Sequence, residues 1–238
     1  KSRQANIALN LSWFEKMVNS DAQLREKMAF FWHGHFATRL LNSKYNETLL
    51  NLIREKALGN FRDLLFAVSQ SAAMLSFLNN QQNKKGHPNE NFAREVMELF
   101  TMGRGNYSEQ DIRESARAFT GWAFDKDGNF VFRKNQHDMG TKTFLGKSGD
   151  FDGKDILNII LEQKATARFI TAKIYRFFVS EKPDEKIIDS LTTGFYEDYD
   201  ISKLLENIFT SRWFYSEQNI GSKIKSPIEL LAGIRRVL

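Results

Sequence analysis

The chain has no cysteine, three prolines and four histidines among its 238 residues. Without cysteine there is no disulfide framework, no thiolate zinc site, no iron–sulfur cluster and no thiol nucleophile. No apolar run approaches the ~18 residues that a membrane-spanning helix needs. Charge of one sign is also scarce in any one place. Thirty-four basic against 29 acidic residues leave a formal net charge of +5. Its members, such as Lys84–Lys85, Arg113/Arg117, Lys142/Lys147 and Arg235–Arg236, are dispersed among acids. A nucleic-acid binder concentrates its cations on one face, so this pattern argues against nucleic acid as a partner.

What is present is ordinary for a globular protein: 42% hydrophobic and 26% charged residues. That length can bury a substantial core. The first residue is Lys1 rather than Met, and no charged-then-apolar export signal follows it, so the chain reads as a processed or truncated piece of a longer protein.

Helical periodicity dominates. In 21–41, Leu24, Met28, Phe31 and His35 fall in one narrow arc, while Phe30, Trp32, Phe36, Leu40 and Leu41 make the other faces apolar, which predicts a central helix. Helices are expected over 49–58 and 61–78, then a polar surface loop over 79–88 (NNQQNKKGHP), then helices over 91–102 and 108–120. Ser108 with Asp111 three residues on forms a capping-box start, and Gly103 and Gly121 suit helix ends. The period changes to two over 122–133, where Trp122, Phe124, Phe130 and Phe132 flank Asp127-Gly128, a hairpin signature. Residues 135–153 are glycine-rich and read as irregular. Helices return over 154–163, 166–179, 184–196 and 201–214, and a last one starts at Ser226-Pro227-Ile228-Glu229. The expected fold is mainly α, a multi-helix bundle with one small β-hairpin near 122–133. A helical core with hairpin and glycine-rich loop (1–150) carries a C-terminal helical part (151–238), packed as one unit.

Candidate chemistry centres on three segments. In Phe30–Phe36 (FFWHGHF), His33 and His35 lie about 160° apart on a helix and cannot share one metal unless Gly34 breaks the helix. The i, i+4 histidine pair of a helical zinc site is absent. His35 points into the core, either as a histidine hydrogen-bonded to a carbonyl or carboxylate or as a ligand or general base. In 89–105 (NENFAREVMELFTMGRG), Phe92, Val96 and Leu99 make the apolar stripe, with Glu95 at its edge. A carboxylate there needs a partner, for which His35, Arg117 or a metal are the candidates. Glu90, Arg94 and Glu98 form a surface ladder spaced by four. In 136–146 (QHDMGTKTFLG), His137 and Asp138 suit a divalent metal or a proton transfer, and Lys142 an anion.

Three tempting motifs fail. Five residues separate Gly140 from Gly146, so Gly146-Lys147-Ser148 is no phosphate loop. Asp125–Asn129 puts glycine at the fourth place of a would-be calcium loop, not the sixth. No nucleophile elbow supports Ser–His–Asp catalysis.

FWHGHF at 31–36, the run from Asn89 through SEQDIRESARAFTGW, HDMGTKTFLG at 137–146 and KSPIELLAGIRR at 225–236 together resemble the bacterial family called domain of unknown function 1800. The resemblance carries His33, His35, Asn91, Glu95, His137, Asp138 and Lys142 as pattern positions, without assigned roles. It implies an extracytoplasmic place, periplasmic or secreted, and a protein partner, since such proteins are often encoded beside sulfatase-like proteins.

Two functions therefore remain. One is a helical binding or assembly module, for which 21 Phe, 6 Tyr and 4 Trp supply anchoring side chains. The other is a metal-assisted or acid–base hydrolase. Its catalytic candidates are His35, Glu95, His137, Asp138 and Lys142, and its metal candidates are His137, Asp138 and His35.

Overall fold

The computed structural model describes residues 2–238. Twelve α-helices and two small hairpins enclose one apolar core that draws side chains from Trp13 to Ile208. α1 (Ser2–Asn19), for which the sequence carries no clear period, packs beside α2 (Gln23–His35) and α3 (Ser43–Lys56). α2 is shorter than its apolar pattern suggests. The Phe36 amide closes the last turn on the Trp32 carbonyl, and residues 37–42 run as a loop until Asn42 caps α3 through the Tyr45 amide. Met28, Trp32 and Phe36 are fully buried, so α2 is central as expected, although Leu24 sits at the surface.

The helix expected over 61–78 is two: α4 (Phe61–Ser69) and α5 (Ala72–Phe77). Ser71 makes the break. It lies in extended backbone, donates its hydroxyl to the Val68 carbonyl and accepts the Met74 amide as the N-cap of α5. The polar loop 79–88 is not simply solvated either. Asn80 and Asn83 are buried, and their side-chain amides donate to the Trp122 carbonyl at 2.9 Å and the Ala116 carbonyl at 2.8 Å. Two asparagines thus satisfy main-chain carbonyls that no ladder reaches.

α6 (Asn91–Glu95) runs into a π-helical turn, Val96–Thr101, and then α7 (Glu109–Ala118) starts from the expected Ser108/Asp111 box. The first hairpin pairs β1 (Trp122–Phe124) with β2 (Phe130–Phe132) antiparallel. Its turn is held by the Asp125 carboxylate, which accepts the amides of Asp127 and Asn129. That is hairpin geometry, not a calcium loop.

The stretch expected to be irregular contains a second hairpin, β3 (Lys142–Phe144) with β4 (Lys147–Gly149). Leu145 and Gly146 both have positive φ, the pattern of a two-residue turn that matches strand twist. Leucine there is strained, and the Leu145 amide bonded to Asp111 at 2.8 Å helps hold it.

The remainder is α8 (Gly153–Leu161), α9 (Lys164–Phe178), α10 (Glu185–Asp198), α11 (Ile201–Phe209) and α12 (Pro227–Val237). Residues 216–226 between the last two have neither helix nor strand. α12 opens with the expected Ser226 cap, Pro227 and reciprocal Glu229, and it packs on α1.

Candidate functional site

His35 lies at the C-terminal end of α2, buried against Phe36, Trp32 and Phe100. Gly34 is helical, so the chain does not break, and His33 leaves on another side to meet the edge of Trp13 at 5.0 Å. The two rings do not converge. A carbonyl can only accept, so the 3.0 Å contact to the Phe100 oxygen places the proton on His35 Nε2. Nδ1 then accepts from the Lys173 ammonium of α9 at 3.0 Å. Burial, then the Lys173 charge, hold the imidazole down to about 3, against the Phe100 bond that favours its charged form. His35 is therefore a neutral bridge between three elements. It ties α2 to the carbonyl end of the π turn and to α9. Burial likewise lowers the Lys173 amine, which stands 4.8 Å over the Phe169 ring.

The π turn decides where Glu95 points. Thr101 donates its hydroxyl to the Val96 carbonyl at 2.6 Å, and the Met102 amide reaches back to Met97. The wider turn advances the phase, so Phe100 enters the core while Leu99, expected inside, is 48% exposed. Glu95 is half-buried and makes no hydrogen bond or ion pair among the described residues; neither His35 nor Arg117 bonds to it. Burial, then Glu98, push its carboxyl up, against Arg94 and Arg104. The surface ladder forms only in part. Arg94 pairs with Glu90 and Glu109, whereas Glu98 takes Arg104 and the Tyr107 hydroxyl.

His137, Asp138 and Lys142 do come together, around Arg117 of α7. Arg117 donates Nε–H to one Asp138 oxygen at 2.8 Å and Nη2–H to the other at 3.2 Å. Its Nη1 reaches Glu114 at 2.9 Å. The Arg117 bonds, first, hold Asp138 down to about 2, despite partial burial. His137 donates Nδ1–H to the Thr120 carbonyl at 2.9 Å. Lys142 is 0% exposed; its ammonium donates to the Asp138 carbonyl at 2.5 Å and stands 3.5 Å from Asp150. Both Asp138 oxygens and His137 Nδ1 are thus committed to protein donors and acceptors. The cluster fastens the second hairpin to α7.

His35, Glu95 and the His137–Asp138–Lys142 group occupy three separate settings, with no hydrogen bond, ion pair or ring contact joining them. Among the described residues no group of three or more His, Asp or Glu side chains is placed to hold a metal ion. Sequence reasoning missed Lys173, which lies 138 positions from His35 and has no local signal. It also missed Glu26, buried under a two-pronged bond from Arg54.

It missed the surface of α12 as well. Leu231 and Ile234 of α12 and Leu238 just after it follow a three-then-four spacing along one line, with Leu230 and Val237 beside them, and all five face solvent. Ala232 is the one buried side chain of α12. Ile220 and Ile224 of the preceding segment are also exposed. Among the cations of this stretch, Lys223 pairs with Glu181 and Arg236 donates to the Met17 carbonyl and Gln23, while Glu229 is bound to Lys27; Lys225 and Arg235 complete the set. A cavity of about 420 Å³ opens beneath the helix, and a second of about 720 Å³ lies beside Phe30, Phe177 and Phe178.

The sequence model of a family described as "Protein of unknown function (DUF1800)" matches residues 1–238, the whole chain. Neither the curated proteins nor the solved structures include a match.

Proposed function

The chain belongs to the DUF1800 family, and from that premise we propose that it is a helical binding and assembly module that docks a protein partner on its α12 face. One observation carries the reading: α12 turns Leu230, Leu231, Ile234 and Val237 outward, continued by Leu238 just after it, and buries only an alanine. Each such side chain forgoes roughly 1.5–3 kcal/mol that full burial would return. Isolated exposed leucines are ordinary, but a contiguous apolar stripe of this kind, with Lys225 and Arg235 near it, has the anatomy of an interface. The complementary partner presents an apolar centre and an acidic rim. The family resemblance adds to this proposal an extracytoplasmic place in a bacterium and a sulfatase-like protein as the partner to try first.

The hydrolase alternative receives less support, because the polar side chains of His35, His137 and Asp138 serve structural bonds. The test is sedimentation velocity of this protein mixed with a purified sulfatase-like protein. A complex that is lost in the Leu231→Glu/Ile234→Glu double variant, with an unchanged melting temperature, supports the reading. A complex that survives the double variant, or no complex and no self-association at all, overturns it.

A further inference from the structure

Lys173 of α9 differs from the ion-paired lysines in what surrounds its amine. Lys27, Lys147, Lys203 and Lys223 each reach a carboxylate. Among the described residues Lys173 pairs with none. Its Nζ lies 3.0 Å from His35 Nδ1, 3.5 Å from the Leu99 carbonyl oxygen and 4.8 Å from the centre of the Phe169 ring. All three neighbours are uncharged. His35 Nδ1 offers a bare lone pair, because the ring proton sits on Nε2 against Phe100. The lysine side chain is half-buried, so its amine gives up hydration and gains no counter-ion in return.

Such surroundings favour the amine over the ammonium. The Phe169 ring face works the other way, by about 0.5–1 kcal/mol for a cation at an exposed site. Burial outweighs it and pushes the Lys173 amine down. A neutral amine carries two hydrogens and one lone pair. The His35 nitrogen and the Leu99 carbonyl can only accept, so they take the two hydrogens and leave the lone pair uncommitted. The π turn creates this setting, since its carbonyls at Leu99 and Phe100 are met by side chains of α9 and α2.

We propose that Lys173 is a carbonyl-capturing nucleophile, a site that forms an imine with the aldehyde or ketone group of a small ligand whose apolar part lies on the Phe169 ring. The nitrogen lone pair adds to the carbonyl carbon. Both amine hydrogens then leave with the carbonyl oxygen as water, and a C=N bond replaces the C=O bond. Lysines buried away from carboxylates are the ones activated for this chemistry at neutral pH. His35 acts as a positioning residue, holding the amine through one N–H and adding no charge. The site draws on α2, the π turn and α9 and makes no use of α12, so it stands or falls apart from the docking reading.

The probe is propanal with sodium cyanoborohydride, added to the full chain at pH 7.5, with alkylation of each lysine followed by peptide mass spectrometry. Cyanoborohydride delivers a hydride to the imine carbon and fixes the adduct as a secondary amine. Lys126 and Lys154, both exposed, serve as internal references. Lys173 is expected to react about tenfold faster than either or more, because each pH unit by which an amine titrates lower gives about tenfold more free amine. That margin is expected to shrink as the pH rises to about 10, where the references also lose their protons. Hexanal is expected to widen it through contact with the ring. Phe169→Glu sets a carboxylate four residues before the amine on the same helix, and is expected to bring Lys173 down to the reference rate; Phe169→Gln is expected to do so only in part. Should neither variant fold, the native chain still decides. A Lys173 rate equal to or below the references overturns the proposal. So does a fast Lys173 whose margin is the same at every pH, which would mark accessibility rather than a free amine. A margin no wider with hexanal overturns the choice of an apolar ligand.

Discussion

A histidine that is neutral because it is buried makes stability depend on pH in a definite direction. His35 is held down to about 3 in the folded chain, while the unfolded chain binds its proton near the ordinary 6.5. The folded state is therefore favoured above about pH 6.5 and loses ground as the pH falls towards 3, by at most about 1.4 kcal/mol per pH unit for one proton. Urea unfolding at pH 7.5 and 5 is expected to show this slope, and His35→Gln to remove it. Lys173→Met takes away the nearby cation that lowers the ring, so the His35 titration followed by NMR is expected to move up. A ring that does not move would deny the Lys173 contact its electrostatic role. Asp138 answers to a different cause. Its Arg117 bonds hold it near 2, so its contribution is present above its ordinary 3.8 and is lost as the pH falls towards 2. The pair is only partly buried, at 26% and 21% exposure. Arg117→Met is accordingly expected to cost about 2 kcal/mol, short of the loss at a fully buried ion pair. Thermal melts check it, and an unchanged midpoint would make the cluster ornamental.

At the scale of elements, the informative departures come where a local bond outweighs a periodic pattern. The stripe of Phe92, Val96 and Leu99 assumes 3.6 residues per turn. The Thr101 hydroxyl bonded to Val96 accompanies a wider turn that exchanges Leu99 for Phe100. Ser71 breaks a helix that hydrophobic spacing alone would run through. The hairpin at 142–149 is hidden because its strands are three residues each and its turn begins with leucine rather than asparagine. Caps, by contrast, are legible because capping is local: Ser108 with Asp111 and Ser226 with Glu229 form as their spacing predicts. Gly121 is legible for the same reason. It takes φ +80° after α7, and a Cβ there would lie 2.6 Å from the Arg133 carbonyl oxygen. Gly121→Ala is expected to cost more than about 2 kcal/mol through strain and that clash. A urea midpoint within error of the parent would refute this.

Over the whole molecule, burial is uneven. Ile156, Leu157, Ile160, Ala167, Ile170 and Ile174 of α8 and α9 are essentially inaccessible, whereas α12 buries Ala232 alone. Local opening costs least where few apolar contacts are lost. Hydrogen exchange is therefore expected to be fastest across 216–238 and slowest in α8 and α9, and equal protection in both would contradict it. The same contrast separates the buried core from the C-terminal helix, whose large apolar residues face solvent.

Composition and periodicity determined the helical class, most element positions, the first hairpin, the caps and the failure of the phosphate-loop and calcium-loop readings. Each of these depends on residues within a turn or two of one another, and such interactions can be read along a chain. Tertiary structure alone decided that His35 serves Phe100 and Lys173, that Asp138 serves Arg117, and that Glu95 stands apart from both. It also decided which side of α12 faces water, because an amphipathic pattern states that a helix has an apolar side and not whether that side meets its own core or another molecule.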